Sequence, residues 1–196
     1  LDNRFKIACL SNYAWVRGID RTIDIAEAIH QRNRADILFV IAGNMKLTLS
    51  LPGELGRIAS YGGTLKDYAD QHGVSDLFLF LGHISEPERV LSSCDALIKP
   101  TRENNPWGRD ILEGLAAGKP VISVGTYDTF VEDKVTGILQ RNFNAETLAE
   151  RICELADDRS LAIQLGKAGR QRIVKICNGE KLAQTITKVW QDVVAS

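Results

Sequence analysis

The chain has the length, composition and charge of a soluble globular protein. It contains 196 residues, of which 44% are hydrophobic and 25% charged, which is enough for one domain with its own hydrophobic core. Its net charge of −1 argues against a nucleic-acid partner, and no apolar run is long enough to form a transmembrane segment.

The cysteines and the start of the chain indicate where the protein works and how complete it is. Cys9, Cys94, Cys153 and Cys177 lie far apart, without a CxxC pair or the spacing of a metal site. Such cysteines are typical of buried or unreactive thiols in a reducing compartment, so we predict a cytoplasmic protein. The chain begins with LDNRF, without Met or a signal-like segment. We therefore expect it to be part of a longer polypeptide.

Short apolar runs alternate with helical patterns over the first 143 residues. The predicted strands cover residues 5–11, 35–43, 76–82, 95–100 and 120–124, with a candidate sixth at 137–140. The predicted helices cover residues 19–32, 64–73, 86–94 and 107–118. Residues 44–63 are predicted to form a long loop that contains a short helix. Apolar strands alternating with helices are typical of parallel strands buried on both faces, so we predict a doubly wound α/β sheet.

After residue 143 the sequence is helical throughout. Three helical segments follow one another: AETLAERICELADD, RSLAIQLGKAGRQRIVKIC and GEKLAQTITKVWQDVV. Apolar residues recur at helical spacing, at Leu148, Ile152, Leu155, Ile186, Val189 and Val193. We predict a single domain over 1–196, with an α/β core at 1–143 and a helical segment at 144–196 that packs on the sheet.

The turn after the first strand is a candidate ligand site, because open parallel sheets bind ligands beyond the carboxyl ends of their strands. This turn, SNYAWVRGIDR at 11–21, offers Asn12, Arg17 and Gly18, which suit an anion at a helix start. A polar loop with a solvated arginine explains the same residues equally well. The chain contains neither GxGxxG nor GxxxxGK[ST], so dinucleotide and Walker-type sites are not indicated.

A second candidate turn lies in NNPWGRDILEGLAAGKPVISV, residues 104–124. Asn105 and Pro106 suit the cap and the first position of a helix. Those structural roles leave Glu113 unexplained, because it is an acid among apolar residues of that helix. A helix start that binds a diphosphate, with a carboxylate about 12 Å further along for ribose hydroxyls, would explain it. A solvated surface acid is the alternative.

Several segments together match the pattern of one protein family. DALIKPT, NPWGRDILEGLAAGKPVI and VEDKVTGIL follow one another between Asp95 and Leu139, and the likeness extends to FKIACLS, RGIDR, FVIAG and FLGHI. In this combination and order, the chain resembles the group 1 (RfaB-like) glycosyltransferases. The resemblance spans nearly the whole chain and implies the C-terminal, Rossmann-like half of a GT-B enzyme. The N-terminal acceptor domain would be absent from this chain.

The resemblance implies a site for a nucleotide-diphosphate-sugar donor. In the family's E-x7-E pattern the second acid binds the ribose, and its position here is Glu113. The first acid binds the transferred sugar, and its position here is Asn105, with Glu103 two residues earlier as the alternative. Glu113, Asn105 and Arg17 are the predicted catalytic residues.

The remaining predicted site residues bind the donor. The family's diphosphate-gripping residues after the first strand correspond to Ser11, Asn12 and Arg17, and Arg109 is a candidate for the cation that Asn12 replaces. Main chain near the third strand, at Gly82, His83 and Ile84, would hold the base. The donor-binding set also includes Gly18, Pro106, Trp107 and Gly108. We expect Arg17, Gly108 and Arg109 to surround the diphosphate.

The implied activity is a retaining transfer of a hexose to a glycan, lipid or small-molecule acceptor. Helix ends and cations would stabilise the leaving diphosphate, without a metal or other cofactor. This fragment alone should bind donor but turn over little, and the missing half could bring it to the inner face of the membrane. The alternatives are a degenerate, non-catalytic binding or scaffold domain and a GT-B sugar epimerase.

Overall fold

The apolar runs of the sequence form one six-stranded sheet in the computed structural model, which describes residues 3–104 and 106–194. The strands are β1 (Phe5–Leu10), β2 (Ile37–Ala42), β3 (Phe78–Gly82), β4 (Ala96–Lys99), β5 (Val121–Val124) and β6 (Gly137–Gln140). Their order is β3-β2-β1-β4-β5-β6, and every neighbouring pair is parallel. The predicted doubly wound α/β sheet is confirmed, including its sixth strand.

Eight α-helices accompany the sheet in the described residues. They are α1 (Arg21–Gln31), α2 (Gly53–Ser60), α3 (Leu65–Gln71), α4 (Pro87–Ser92), α5 (Arg109–Ala116), α6 (Ala145–Asp157), α7 (Arg159–Ile176) and α8 (Gly179–Val194). Short 3-10 helices cover Trp15–Arg17 and Ser75–Leu77. The helix α2 lies within the predicted loop 44–63, as expected.

Successive strand residues supply two separate hydrophobic cores, because side chains alternate between the faces of a sheet. Ile7 and Cys9 of β1 lie in the core that α1, α2, α3 and α6 cover. Ala8, between them, lies in the core that α4 and α5 cover, and α7 contributes to both cores. The sheet is therefore covered on both faces, which explains why its strands read as continuous apolar runs.

The winding of the chain reverses at the centre of the sheet. From β1 the chain builds β2 and β3 on one side, and then it crosses back to place β4 on the other side of β1. The two central strands are paired through Ile7 with Ala96 and Ala8 with Leu97. Such a switch point opens a crevice at the carboxyl ends of the two strands, which here are Leu10 and Lys99.

The C-terminal helix differs from the sequence-based expectation. Leu148, Ile152 and Leu155 of α6 are buried, but none of the described residues of α8 is buried. The large apolar residues of α8 all face solvent: Leu182, Ile186, Val189, Trp190, Val193 and Val194. The expectation that α8 packs on the sheet is therefore wrong, because the helical apolar pattern shows that a face exists but not that this chain covers it.

No helix within residues 3–104 and 106–194 has the length and apolarity needed to span a membrane.

Candidate functional site

An open cleft of about 610 Å³ lies at the switch point between β1 and β4. Its walls come from the turns after β1, β2 and β3, from the end of β4 and from the start of α5. The lining residues are Leu10, Ser11, Asn12, Arg17, Ala42, Gly43, His83, Ile84, Ser85, Pro87, Lys99, Gly108, Arg109, Asp110 and Glu113. Five separate segments of the chain thus meet at one edge of the sheet.

The turn after β1 holds Arg17 over the cleft. Arg17 ends the short 3-10 helix that begins at Trp15, and its guanidinium donates to Ser11 Oγ (2.5 Å) and to the Asn12 carbonyl (3.1 Å). The side chain of Asn12 serves a different purpose, because its Oδ1 accepts from the Asn44 amide at 2.8 Å. Asn12 therefore ties the turn after β1 to the turn after β2, and Arg17 supplies the charge.

The loop after β4 fixes the position of this turn. The Arg102 amide and the Thr101 hydroxyl both donate to the Val16 carbonyl, at 2.9 and 3.0 Å. At Gly18, with φ 65°, an added Cβ would lie 2.1 Å from the Pro100 carbonyl oxygen. The two loops therefore approach as closely as a glycine allows, and they reach the cleft together.

The helix α5 begins later than the sequence suggests. Its first residue is Arg109 and its N-cap is Gly108, whose φ of 146° and ψ of 169° suit only glycine. The predicted start at Trp107 and the predicted cap at Asn105 are therefore corrected, although Asn105 itself lies outside the described residues. The physical reason is a tertiary contact, in which Lys99 Nζ donates to the Trp107 carbonyl at 2.9 Å.

The later start of α5 changes the geometry around Glu113. Glu113 is the fifth residue of the helix, about 6 Å along its axis from the start instead of the expected 12 Å. Its carboxylate lies 3.3 Å from Arg109 Nε, and the Arg109 side chain is 88% exposed. An ion pair this exposed contributes under about 1 kcal/mol, so ligand hydroxyls can replace it at little cost.

Like Asp110, Lys99 lines the cleft although the sequence did not predict it as a site residue. It is the last residue of β4, and its Nζ donates to Asp110 Oδ1 (2.8 Å) as well as to the Trp107 carbonyl. Both side chains are largely shielded, with Lys99 17% and Asp110 12% exposed. The available signal was a lysine that ends an otherwise apolar strand. The cleft thus contains three cationic side chains, of Arg17, Lys99 and Arg109, and two carboxylates, of Asp110 and Glu113.

The cleft brings together eight of the predicted site residues: Ser11, Asn12, Arg17, His83, Ile84, Gly108, Arg109 and Glu113. Five others do not line it: Gly18, Gly82, Glu103, Pro106 and Trp107. Gly18 and Gly82 have structural roles. Gly18 packs against the Pro100 carbonyl, and the Gly82 carbonyl accepts a hydrogen bond from the Gly43 backbone amide. Pro106 is buried against Gly125, while Glu103 and Trp107 are exposed. These five residues lie outside the lining of this cleft, and their contact with the donor stays a prediction.

The thiol beneath the cleft is not reactive. Cys9 is 2% exposed, and burial, with a further contribution from Asp110, raises its pKa to about 12. It therefore carries a proton at neutral pH. Within residues 3–104 and 106–194, no three His, Cys, Asp or Glu side chains come together as a metal site would require.

A family model identifies the chain. The model for glycosyl transferases group 1 matches residues 1–172, and the chain belongs to that family. It is 27% identical over 195 residues to the GDP-mannose-dependent alpha-(1-6)-phosphatidylinositol monomannoside mannosyltransferase of Mycobacterium tuberculosis, covering 93% of this chain and 46% of that protein. It is 30% identical over 131 residues to alpha-1,3/1,6-mannosyltransferase ALG2 of Dictyostelium discoideum, covering 64% of this chain and 30% of that protein.

Solved structures agree on the fold. Sucrose-phosphate synthase from Thermosynechococcus elongatus superposes with a TM-score of 0.80 at 19% identity, over 100% of this chain and 47% of that one. Anabaena HepE in complex with UDP-glucose superposes with a TM-score of 0.75 at 19% identity, over 95% and 49%. The fold is thus one Rossmann-like half of a GT-B glycosyltransferase. The chain spans less than half the length of each of these four proteins.

Proposed function

We propose that this chain is the donor-binding half of a retaining glycosyltransferase that uses a nucleotide-diphosphate-sugar. The observation that carries the proposal is the convergence of Arg17, the start of α5 and Glu113 on one cleft at the switch point of the sheet. Open α/β sheets bind nucleotides at such points, with the phosphates at a helix start. Membership of the group 1 family supports the same conclusion.

Each part of the cleft has a proposed role. Arg17 and the first amides of α5 bind the diphosphate, because both present positive charge to the same space. Glu113 accepts hydrogen bonds from the ribose hydroxyls. The backbone at His83 and Ile84 lines the end of the cleft beside β3 and binds the base. The transferred sugar lies toward residues 103–105, where Glu103 and Asn105 are the proposed contacts.

The proposed chemistry needs stabilisation of a leaving nucleoside diphosphate, whose negative charge grows as the bond to the sugar breaks. Fixed cations and helix amides provide that stabilisation, since they are already oriented when the charge develops. We propose that no metal or other cofactor takes part. The acceptor would bind to the other half of the enzyme, so this chain alone should bind donor but transfer little.

Two relatives suggest which donors to test first. The M. tuberculosis protein is named as GDP-mannose-dependent, and HepE was solved with UDP-glucose. The lipid named as the acceptor of the first relative supports a glycan or lipid acceptor here. We propose that the protein works in the cytoplasm or at the inner face of a membrane. The alternatives are a non-catalytic binding domain and a sugar epimerase. An assay of sugar transfer on the full-length polypeptide separates a transferase from both.

The experiment that tests the proposal is titration calorimetry of the 196-residue chain with UDP, GDP and ADP. We expect one of the three to bind and its sugar conjugate to raise the melting temperature. A ligand at a concentration of 100 times its Kd raises the free energy of unfolding by about 2.7 kcal/mol. Glu113→Gln should weaken that binding. Glu150→Gln, which alters an exposed acid on α6, is the matched control. Failure of all three diphosphates to bind would refute the proposal.

A further inference from the structure

The ammonium group of Lys99 is held in the cleft by two partners. It donates to Asp110 Oδ1 at 2.8 Å and to the Trp107 carbonyl at 2.9 Å. An ammonium group has three donors, and these two contacts account for two of them. Lys99 also reaches the cleft from the end of a central strand, which is a rigid support.

The backbone makes room for this group. At Gly108 an added Cβ would lie 2.5 Å from Lys99 Nζ and 2.8 Å from Asp110 Oδ1. A side chain at the N-cap of α5 would therefore collide with the Lys99–Asp110 pair, and glycine avoids this collision. The start of the helix and the Lys99–Asp110 pair form one packed unit.

The position of Asp110 explains why a lysine belongs here. Asp110 places a carboxylate in the first turn of α5, where its Oδ1 also accepts from the Ile111 amide at 3.0 Å. A carboxylate there stabilises the helix, but it repels an anionic ligand at the same helix start. Lys99 neutralises that charge and brings a donor of its own.

The other two cations of the cleft are less constrained by their surroundings. Arg109 is 88% exposed and pairs with Glu113. Arg17 is exposed and donates to Ser11 and Asn12 within its own turn. Lys99, at 17% exposure, is the most shielded of the three cations. Charge-assisted hydrogen bonds are strongest where water is excluded.

We propose that Lys99 is the second cation of the diphosphate subsite. Asp110 and the Trp107 carbonyl hold its ammonium group in place, and the third N–H donates to a phosphate oxygen of a bound nucleoside diphosphate. The inference rests on the proposed function, because it names a further contact of the same donor. Lys99 reaches the cleft from the end of β4, whereas Arg17 reaches it from the turn after β1.

The test is a double-mutant cycle with Lys99→Met and Asp110→Asn, measured by calorimetry with the nucleoside diphosphate that the unmodified chain binds. If Lys99 only neutralised Asp110, removing both groups would leave binding as in Asp110→Asn. If it contacts the phosphates, the double variant should bind about tenfold or more weakly than Asp110→Asn. Equal affinity of those two proteins would overturn the inference while the proposed function stands.

Two further measurements keep the result clear. Lys99→Gln retains a donor for the Trp107 carbonyl and replaces Lys99→Met if that variant does not fold, with the same expected loss. Lys167→Met, which alters an exposed lysine of α7, should bind as the unmodified chain does. A chain that binds no nucleoside diphosphate at all would overturn the proposed function, and the inference with it.

Discussion

The guanidinium carbon of Arg102 lies 3.4 Å from the centre of the Trp15 ring, so the loop after β4 stacks on the turn after β1. The same guanidinium donates to the Trp15 carbonyl and to both carboxylate oxygens of Asp20, a buried acid. Arg17 ends the 3-10 helix that begins at Trp15, so these contacts of Arg102 with Trp15 help to fix the position of Arg17. Arg102 is therefore a positioning residue for the proposed diphosphate subsite.

Replacing Arg102 should affect both stability and binding. We expect Arg102→Met to lower the free energy of unfolding by about 3 kcal/mol, because Asp20 stays buried without its cation. Binding of the nucleoside diphosphate should weaken as well, because Arg17 loses its support. Urea unfolding and calorimetry measure the two effects, with the exposed Arg141→Met as control. Unchanged affinity in a folded Arg102→Met protein would show that the turn holds Arg17 by itself.

Replacing Glu113 should remove the proposed ribose contact together with a weak, exposed ion pair to Arg109. We expect Glu113→Gln to weaken binding of the nucleoside diphosphate by about 1.5–3 kcal/mol, the range for hydrogen bonds to a charged group. The comparison ligand is the 2′-deoxynucleoside diphosphate, which lacks one of the proposed hydroxyl donors. The unmodified chain should favour the ribose form, and Glu113→Gln should favour it less. The same preference in both proteins would show that Glu113 is a structural acid.

Replacing Gly108 should disturb the start of α5. An alanine there is strained at φ 146°, and its Cβ would meet Lys99 Nζ. We expect Gly108→Ala to lower the free energy of unfolding by about 1–3 kcal/mol and to weaken diphosphate binding. Gly179→Ala is the matched control, because an added Cβ there meets nothing within 4 Å. Thermal melts and calorimetry of the two variants give the comparison, and equal behaviour would contradict it.

A cluster of acids between α1 and α3 makes stability depend on pH. Burial, with repulsion from Asp20 and Glu27, raises the pKa of Asp24 to about 6. His72 Nδ1 lies 2.7 Å from Glu27 Oε1, and its Nε2 lies 3.3 Å from Glu54 Oε2. Burial works against protonation of His72, but the two glutamates outweigh it and raise its pKa. The positive charges of His72 and Arg102 lower the pKa of Asp24, but less than burial and the two acids raise it.

Both groups bind protons more tightly in the folded state, so the free energy of unfolding should fall as pH rises from 5 to 8. The decrease in the free energy of unfolding that is due to Asp24 is absent when asparagine replaces it. Asp24→Asn should therefore be more stable than the unmodified chain at pH 8 by about 1 kcal/mol, allowing for solvent screening of a half-buried carboxyl, and the difference should vanish near pH 4. Urea unfolding across this range measures it, with the exposed Asp70→Asn as control. A gain that is the same at every pH would exclude the titration of Asp24 as its cause.

The fold could be predicted because its signals are local. Each strand reads as a run of apolar residues, and the turns after β1 and β3 carry polar residues that line the cleft. The start of α5 could not be predicted in this way, because it depends on Lys99, 8 residues before the carbonyl that it binds. Asn105 and Pro106 have the right residue types for a helix start, but a tertiary contact overrides that preference.

Two features could not be predicted because they depend on contacts between segments that are distant in the sequence: the Lys99–Asp110 pair and the surroundings of α8. Lys99 and Asp110 are 11 residues apart and meet only because β4 and α5 are adjacent. The apolar face of α8 is plain in the sequence, but periodicity does not say which surface covers it. Local patterns therefore predicted elements and candidate positions, and the pairing between distant segments required the structure.

The cleft and the two cores share few residues, and this separation has a consequence for divergence. Ser11, Arg17, His83 and Ser85 follow strand ends, where a change of side chain leaves the packed faces of the sheet intact. A few turn residues of the cleft can therefore change without loss of the fold, while selection for foldability acts on a different set of residues. Gly108 is the exception, because its conformation serves the helix and the cleft at once. We expect substitutions to be accepted more readily at Ser11, His83 and Ser85 than at that glycine.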